Sequence, residues 1–291
     1  MALGSVGIWC RDLHYHHDPA AIADAAAELE QLGYGALFLP DAGGDVLGSV
    51  EHVLSATREV AVVTGILNIW MHDAQDVAEG RARIEQRHPG RFTLGLGASH
   101  HTLVGERYGR PLTAMRDNHE RLDAAAPPVP VEARLLAALG PKMLDLARER
   151  SWGAHPYFVP PEHTRRAREL LGPDRLLAPE QAVLLEADAT RARERGRAHV
   201  APYLELPNYV ANLERLGFGE ADRAGGGSDR LVDAIVAWGD EAAIAARVRE
   251  QLDAGADHVC IQVVEEGELP RATWRRLAPA LVEAAVSGPA R

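Results

Sequence analysis

The stretch that decides the fold runs from Ile22 to Asp41 and reads IADAAAELEQLGYGALFLPD. Its first half places Ile22, Ala26 and Leu29 at the spacing of one helix face. Gly33 follows, where a glycine can take the left-handed conformation that ends a helix, and an apolar run typical of a buried strand comes next. The order of helix, glycine and strand indicates a protein built from parallel βα units.

The same order recurs near the C-terminus, where Ile244 to Cys260 reads IAARVREQLDAGADHVC. Along the rest of the chain, short apolar runs alternate with longer helical segments. The eight predicted strands are Ser5–Trp9, Ala36–Pro40, Ala61–Ile66, Phe92–Gly97, Arg134–Ala138, Gly153–Phe158, Gln181–Glu186 and His258–Val263.

Strand number and chain length together favour one fold class. Eight strands in 291 residues predict an α/β fold, a (β/α)8 TIM barrel that forms one domain over residues 1–291. A doubly wound sheet shows the same alternation, but its first strand would run into G-x-G-x-x-G. Here the first strand ends Ile8-Trp9-Cys10-Arg11, without a glycine. The barrel is therefore preferred.

Three stretches depart from the regular alternation. Ala124–Pro130 is rich in Ala and Pro and predicts a shortened connection, and Leu216–Asp229 contains three consecutive glycines and predicts a mobile loop. Ala189–Leu216 is a helical region longer than one barrel helix needs. We therefore expect an insertion over residues 187–230 that packs near the barrel mouth.

Charge and composition exclude several classes of protein. The formal net charge is −11 with acidic residues spread along the chain, which indicates a solvated acidic surface and argues against nucleic acid as a partner. No apolar run reaches the roughly 18 residues of a membrane span, and the N-terminus lacks the pattern of a signal peptide. Cys10 and Cys260 have no metal-binding or C-x-x-C spacing and suit a reducing cytoplasm, although one disulfide between them stays open.

Several residues follow predicted strands at the end where TIM barrels carry their active sites. Asp41 follows the second strand, where its carboxylate either faces a ligand or caps the next turn. Gly97 ends the fourth strand, where glycine lets a flat ligand lie against the backbone or only forms a tight turn. Trp70 extends the third strand and either walls an aromatic ligand or packs under a loop.

The fifth strand leads into Leu139-Gly140-Pro141, a turn that opens a helix. Free N–H groups and the dipole at the helix start favour an anion such as phosphate, and Lys142 adds a positive charge. Turns of this kind also occur without any ligand.

Histidines are the remaining candidates for chemistry. His100 and His101 follow the fourth strand and either protonate a substrate or lie on the surface beside a loop. His14 and His16 have the H-x-H spacing of metal-dependent barrels, but no set of His and Asp at the other strand ends completes a ligand cage. We therefore predict no metal site.

Taken in order, these segments resemble the luciferase-like flavin and deazaflavin oxidoreductase superfamily, and within it the branch that depends on coenzyme F420. The resemblance covers nearly the whole chain. It rests on six stretches, Leu37–Asp41, Gly65–Trp70, Arg91–His100, Ala137–Met143, Gly153–Tyr157 and Ala254–Val259.

The resemblance implies a position for the cofactor. Its ring lies across the strand ends and is held partly by a bulge with a non-prolyl cis peptide, here Gly65–Ile66, while its phosphate-bearing tail meets the turn at Gly140. The cofactor-binding residues implied in this way are Asp41, Gly65, Ile66, Asn68, Gly97, Ser99, Leu139, Gly140 and Pro141.

Two residues depart from the patterns of relatives. Many deazaflavin-dependent relatives carry a histidine directly after the second-strand aspartate, but this chain has Ala42. Sugar-phosphate dehydrogenases of the superfamily carry a glutamate beyond the fourth strand, where this chain has His100. Sugar-phosphate chemistry is therefore not expected here, and the short region Leu122–Pro130 indicates a reduced lid.

The function implied by the resemblance is hydride transfer between the deazaflavin and a small organic substrate, with a proton from His100 or His155. Two alternatives stay open: an FMN-dependent monooxygenase that uses oxygen, and a flavin- or deazaflavin-binding protein without turnover. A homodimer and a partner enzyme that reduces F420 or flavin are also implied. The expected substrate pocket contains Trp9, Trp70, Tyr108 and Tyr157.

Overall fold

The computed structural model describes residues 3–265 and 269–286, so residues 1–2, 266–268 and 287–291 of the predicted domain lie outside the described residues. The strands are β1 (Val6–Trp9), β2 (Ala36–Leu39), β3 (Ala61–Thr64), β4 (Leu67–Asn68), β5 (Phe92–Gly97), β6 (Arg134–Leu136), β7 (Gly153–Ala154), β8 (Leu176–Leu177), β9 (Glu180–Leu185), β10 (Val236–Gly239) and β11 (Val259–Val263).

Helices separate most of these strands along the chain. They are α1 (Asp12–Tyr15), α2 (Pro19–Gln31), α3 (Val46–Ala56), α4 (Ala74–Arg87), α5 (His101–Val104), α6 (Pro111–Ala124), α7 (Pro141–Arg150), α8 (Pro161–Leu171), α9 (Ala189–Val200), α10 (Pro207–Arg215), α11 (Glu220–Arg223), α12 (Asp229–Ile235), α13 (Glu241–Asp253) and α14 (Arg271–Val286). Short 3₁₀ helices cover Gly105–Arg107, Val131–Ala133, Ala201–Glu205 and Ala224–Gly226.

The strands form one parallel sheet in the order β10-β9-β11-β1-β2-β3-β5-β6-β7-β8, with β4 beside β5. β8 and β9 belong to one chain segment that is interrupted only at Ala178 and Pro179. On one side of this segment the Ala178 N–H donates to the Ala154 carbonyl (2.9 Å), and on the other side the Cys260 N–H donates to the Pro179 carbonyl (2.9 Å). The sheet therefore curls round and closes through this segment, and the predicted TIM barrel is confirmed.

Strand residues alternate between two apolar layers, as the twofold periodicity of a strand requires. Phe38, Val63, Leu135 and Cys260 belong to a cluster of their own, whereas their neighbours along the strands pack with the helices. This separate cluster fills the barrel interior and supports the strand ends from below.

The two joins of helix, glycine and strand are confirmed. Asp18 caps α2, and Gly33 follows its end with φ 89°. Gly255 follows α13 in the same way with φ 108°. Only glycine adopts such backbone conformations at little cost, so both joins are set locally by the sequence.

The predicted bounds of three strands were wrong. The third, Ala61–Ile66, ends at Thr64, because the chain bends at Gly65 before it resumes as β4. The sixth, Gly153–Phe158, keeps only its first two residues, since Pro156 has no N–H to donate to the ladder. The fifth, Arg134–Ala138, likewise ends two residues early, at Leu136, and the other predicted strands agree with the structure to within one residue at each end.

Three strands, β4, β8 and β10, were not predicted; β4 is the two-residue strand that follows the bend at Gly65. β8 has two residues, too few for a visible pattern. β10 pairs with β9 outside the ring and follows α12 directly, without a glycine or proline to separate helix from strand. Its apolar residues therefore resembled a continuation of the helix.

The predicted helical region Ala189–Leu216 is broken rather than continuous. It consists of α9, a 3₁₀ segment and α10, and the breaks fall near Pro202 and Pro207, which cannot continue the hydrogen bonds of a helix. The predicted loop Leu216–Asp229 contains α11 and a further 3₁₀ turn.

Two observations concern the composition-based predictions. Both cysteines, Cys10 and Cys260, are buried free thiols, so the disulfide left open above is not formed. None of the helices in the described ranges is both long and apolar enough to span a membrane.

Candidate functional site

A cavity of about 360 Å³ opens at the C-terminal ends of the strands. Eleven of the predicted site residues line it: Trp9, Asp41, Gly65, Ile66, Ser99, His100, Tyr108, Leu139, Gly140, His155 and Tyr157. The other four, Asn68, Trp70, Gly97 and Pro141, are not among its lining residues. Residues from six strand ends therefore meet around one space, where a TIM barrel places its chemistry.

The bulge after β3 forms part of the cavity wall, and the predicted cis peptide Gly65–Ile66 is confirmed. The Trp9 indole N–H donates to the Gly65 carbonyl (2.7 Å), and the Asp41 N–H donates to the Ile66 carbonyl (3.2 Å). A Cβ at Gly65 would lie 3.1 Å from both Trp9 and Phe38, so a larger residue would crowd both side chains. The bulge is thus held from β1 and β2.

Asp41 ties this bulge to the loop after β2. Its Oδ1 accepts the Gly43 N–H (2.9 Å), while Oδ2 accepts the Asn68 N–H (3.0 Å) and lies 2.7 Å from Nε2 of His72. Burial acts to raise the pKa of Asp41, but the hydrogen bonds from His72, Asn68 and Gly43 outweigh it and hold the pKa below its usual value. The carboxylate is therefore ionised and caps the turn at Gly43, which is the second of the two alternatives. Its side chain is fully buried, so Asp41 contributes to the cavity lining through its backbone.

His72 was missed in the sequence. Its partner Asp41 lies 31 residues earlier, and neither helical nor strand spacing relates the two. The pairing depends on the bend of the chain at the bulge, which follows from tertiary structure.

Gly97 and Asn68 lie behind the cavity wall. A Cβ at Gly97 would come within 2.5 Å of Ile66 Cγ1, so this glycine makes room for the Ile66 side chain. Asn68 is fully buried, and its Oδ1 accepts the Trp70 N–H (3.2 Å). Both residues support the bulge rather than face the cavity.

Ser99 lines the cavity with φ 51°, an uncommon conformation for a residue other than glycine. Such residues concentrate at functional sites, where the surroundings hold them in place. Nearby, the Tyr108 hydroxyl lies 3.4 Å from the Ser99 carbonyl, and its ring centroid lies 5.7 Å from that of Trp70. Trp70 donates to the Ala98 carbonyl (2.7 Å) and packs under this segment, which is the second of the two alternatives for it.

The turn at Gly140 forms a further part of the cavity wall. Leu139 and Gly140 line it, and no side chain caps the N-terminus of α7. Pro141 and Lys142 point outward and are exposed. The cation beside this turn is instead Arg215 at the end of α10, whose Nη2 would lie 3.6 Å from a Cβ at Gly140.

An aromatic wall, defined as Trp9, Tyr157, Tyr203 and Tyr209, closes the cavity on one side. The ring centroid of Tyr157 lies 5.6 Å from that of Trp9, 5.4 Å from that of Tyr203 and 6.3 Å from that of Tyr209. The Tyr157 hydroxyl donates to Gln262 Oε1 (2.8 Å) and lies 2.6 Å from the Tyr203 hydroxyl. Tyr203 and Tyr209 were missed in the sequence because they lie in the region 187–230 and do not follow a predicted strand.

Glu180 supports this wall from a fully buried position. Its Oε2 accepts the N–H of Phe158 (3.1 Å), which has the uncommon φ of 61° and follows Tyr157 directly. Burial raises the pKa of Glu180 to about 8, so the side chain is mostly protonated at neutral pH. The carboxyl group thus fixes the corner from which Tyr157 projects.

The two predicted catalytic histidines differ in their surroundings. Burial lowers the pKa of His100, while a hydrogen bond with the Asn208 side chain acts in the opposite direction. His155 Nδ1 lies 2.6 Å from the Ala178 carbonyl, which can only accept, so Nδ1 carries the hydrogen and Nε2 is left as an acceptor. Burial lowers the pKa of His155 to about 4, and the ring is neutral at neutral pH. This geometry favours His100 over His155 as a proton donor.

The histidines of the H-x-H sequence take part in local contacts. His14 lies 2.7 Å from the Ser49 hydroxyl and 3.0 Å from the Gly43 carbonyl. Within residues 3–265 and 269–286, no three His, Cys, Asp or Glu side chains lie together as metal ligands would.

Three solved structures share this fold over nearly their whole length. The F420-dependent tetrahydromethanopterin reductase of Methanopyrus kandleri is 18% identical with a TM-score of 0.76, and the match covers 97% of this chain and 99% of that chain. An F420-dependent secondary alcohol dehydrogenase, in complex with an F420-acetone adduct, is 16% identical with a TM-score of 0.73 over the same shares. The oxygenating constituent of 3,6-diketocamphane monooxygenase from Pseudomonas putida, in complex with FMN, is 11% identical with a TM-score of 0.69, and the match covers 99% of this chain and 100% of that chain.

Identities this low establish the fold alone, and the comparison with curated protein sequences gives no match. The family assignment rests instead on a family model, that of the luciferase-like monooxygenases, which matches residues 1–258. This match covers most of the chain. The chain therefore belongs to the luciferase-like monooxygenase family.

Proposed function

We propose that this chain is a coenzyme F420-dependent oxidoreductase that transfers a hydride between the deazaflavin and a small organic substrate. The observation that carries the proposal is one continuous cavity that joins the backbone wall at Gly65, Ile66 and Ser99 to the uncapped start of α7. A flat ring fits the first part, and a phosphate suits the second, because free N–H groups and Arg215 favour an anion there.

The chain's own residues would hold the cofactor from three sides. Gly65, Ile66 and Ser99 would contact the ring, while Leu139, Gly140 and Arg215 would meet the phosphate. Asp41 would keep the bulge in position, and Asn68 and Gly97 would support it from behind. Pro141 would support the phosphate site indirectly, because its fixed φ favours the start of α7 at this position.

When bound, coenzyme F420 supplies a hydride donor or acceptor at C5 of its deazaflavin ring. In the direction of reduction, a substrate carbonyl carbon gains the hydride, its C=O π bond breaks, and its oxygen takes up a proton. His100 would hold that proton near the substrate oxygen, with Asn208 orienting the imidazole. Tyr203 and Tyr209 would exclude water by covering the cavity.

Two relatives support the choice of cofactor, since the names of two similar structures include F420. The rival is an FMN-dependent monooxygenase, which the FMN complex of a third similar structure supports. A homodimer and a separate enzyme that reduces F420 belong to the same proposal. Both cofactors present a tricyclic ring and a phosphate, so the choice between them needs a measurement.

The test compares two reactions of the purified protein. Reduced F420 is mixed with a panel of ketones, enones and nitroarenes, and the return of oxidised deazaflavin absorbance is followed. Reduced FMN is tested in parallel for substrate-dependent oxygenation. We expect turnover with F420 alone; oxygenation with FMN alone would establish the rival, and binding of either cofactor without turnover would favour a non-catalytic protein.

A pair of arginine substitutions tests the phosphate site. Replacing Arg215 with glutamine is expected to raise the KM for reduced F420 by about 10-fold, because one charge-assisted hydrogen bond to the phosphate is lost. Arg249 is also an exposed arginine but lies on α13, away from the cavity lining, and Arg249→Gln is expected to leave KM unchanged. If the two substitutions changed KM equally, Arg215 would not be a phosphate-binding residue.

A further inference from the structure

The cavity lining carries almost no accessible charge. Of the described residues that line it, Asp41 is the one whose side chain is ionised at neutral pH, and that side chain is fully buried. Neither lysine nor arginine is among the lining residues. Burial lowers the pKa of His100 and His155, which favours the uncharged form of both rings, so His100 would be charged only while it carries the proton of the reduction. Arg215 is a cation beside the lining, with its Nη2 3.6 Å from the position of a Cβ at Gly140.

Two of the three hydroxyl groups of the aromatic wall, those of Tyr157 and Tyr203, are hydrogen-bonded within the wall and to Gln262. The Tyr157 hydrogen is directed to Gln262 Oε1, which can only accept, so Tyr203 donates to Tyr157. Tyr203 has then used its only hydrogen. With these two hydroxyl groups paired, the wall offers ring faces, the uncharged Tyr209 hydroxyl and no cation, and flat molecules stack well on such faces.

The polar groups that remain near the wall are few and neutral. His100 lies against Tyr209, with ring centroids 5.3 Å apart, and Asn208 hydrogen-bonds His100. Together they suit one carbonyl or hydroxyl group of a ligand. An anionic group here would lose its water without gaining a cation, which is strongly unfavourable.

We propose that the half of the cavity at the aromatic wall takes an uncharged, flat carbonyl compound or the corresponding alcohol, and discriminates against carboxylates and phosphates. This inference rests on the proposed function, since it assigns the Gly140 end to the anionic part of the cofactor. It adds the charge class of the substrate.

The test uses two nearly isosteric ligands, 4-acetylbenzamide and 4-acetylbenzoate, which differ in charge. Their affinities for the full-length protein with F420 bound are measured by calorimetry. We expect the amide to bind at least 10-fold more tightly than the carboxylate. Equal or tighter binding of the carboxylate, or no binding of the amide, would overturn the proposal.

A pair of lysine substitutions tests the cause of the discrimination. Leu103 lines the cavity and is 60% exposed, so Leu103→Lys adds a cation without disturbing the core. We expect this variant to bind 4-acetylbenzoate about fivefold more tightly than the parent protein does. Met71 is 40% exposed but does not line the cavity, and Met71→Lys should leave both affinities unchanged. The proposed origin of the selectivity is the lack of a cation in the cavity lining. It would be contradicted if both variants gained the same affinity for 4-acetylbenzoate, or if Leu103→Lys gained none.

The outcome is separable from that of the proposed function. If the protein fails to bind F420, the proposed function fails, and the two ligands are then compared on the chain alone. If the chain without F420 still prefers the amide, the proposal of an uncharged ligand is supported. If it shows no such preference, the proposal is overturned.

Discussion

Replacing Asp41 with alanine is expected to weaken cofactor binding by about 100-fold. The substitution removes a buried carboxylate and leaves the N–H groups of Gly43 and Asn68 without their acceptor. Each buried group left unsatisfied costs about 1–3 kcal/mol, and the Asn68 N–H belongs to the bulge that would contact the ring. The measurement is equilibrium titration of the variant with F420 and with FMN.

Two further variants locate the effect. Asp41→Asn keeps an acceptor but removes the charge that pairs with His72, so a loss of about 10-fold is expected. Asp45→Ala removes the N-cap of α3 four residues later and should leave affinity unchanged. If Asp41→Ala lowered thermal stability but bound cofactor as tightly as the parent protein, Asp41 would have only a structural role.

The free energy of unfolding is expected to fall steeply between pH 7 and pH 5. Burial lowers the pKa of five histidines to about 4 each, from about 6.5 in the unfolded chain: His119, His155, His163, His199 and His258. Between these values the unfolded chain binds more protons than the folded one, so stability is present above about pH 6.5 and is lost as the pH falls. Each histidine contributes up to about 1.4 kcal/mol per pH unit.

Glu180 has the opposite sign, because its raised pKa of about 8 stabilises the fold at low pH and costs stability as the pH rises toward 8. Five histidines against one glutamate leave a net loss of about 7 kcal/mol between pH 7 and pH 5, comparable to the whole stability of many proteins. Urea unfolding at several pH values measures it. A curve that is flat over this range would contradict the expectation.

A pair of histidine variants tests the origin of this slope. His258 is fully buried, and His258→Gln should reduce the slope by about one quarter, whatever it does to stability at pH 7. His17 is exposed, and His17→Gln should leave the slope unchanged. The same slope in both variants would mean that other groups cause the acid sensitivity.

Much of the fold could be predicted because its signals are local. Gly33 and Gly255 mark helix ends where the backbone needs positive φ, and the apolar runs that follow become β2 and β11. Strand ends were harder to predict where the chain bends, as at Gly65, or where Pro156 interrupts the ladder. β10 was not predicted because no glycine or proline in the sequence separates it from α12.

The candidate site was predictable only in part, for a physical reason. Residues next to a strand end, such as Asp41, Ser99 and Gly140, line the cavity because the barrel brings all strand ends together. Tyr203 and Tyr209 reach the same cavity from a region without strands, so their positions depend on how α9 and α10 pack. No spacing rule encodes that packing.

The most direct measurement is a crystal structure of the protein with coenzyme F420. We expect the deazaflavin ring to lie against Gly65–Ile66 and Ser99, and the phosphate to lie at the start of α7 beside Gly140 and Arg215. A ring bound elsewhere, or a cavity that admits FMN and excludes F420 in parallel crystals, would contradict the central claim.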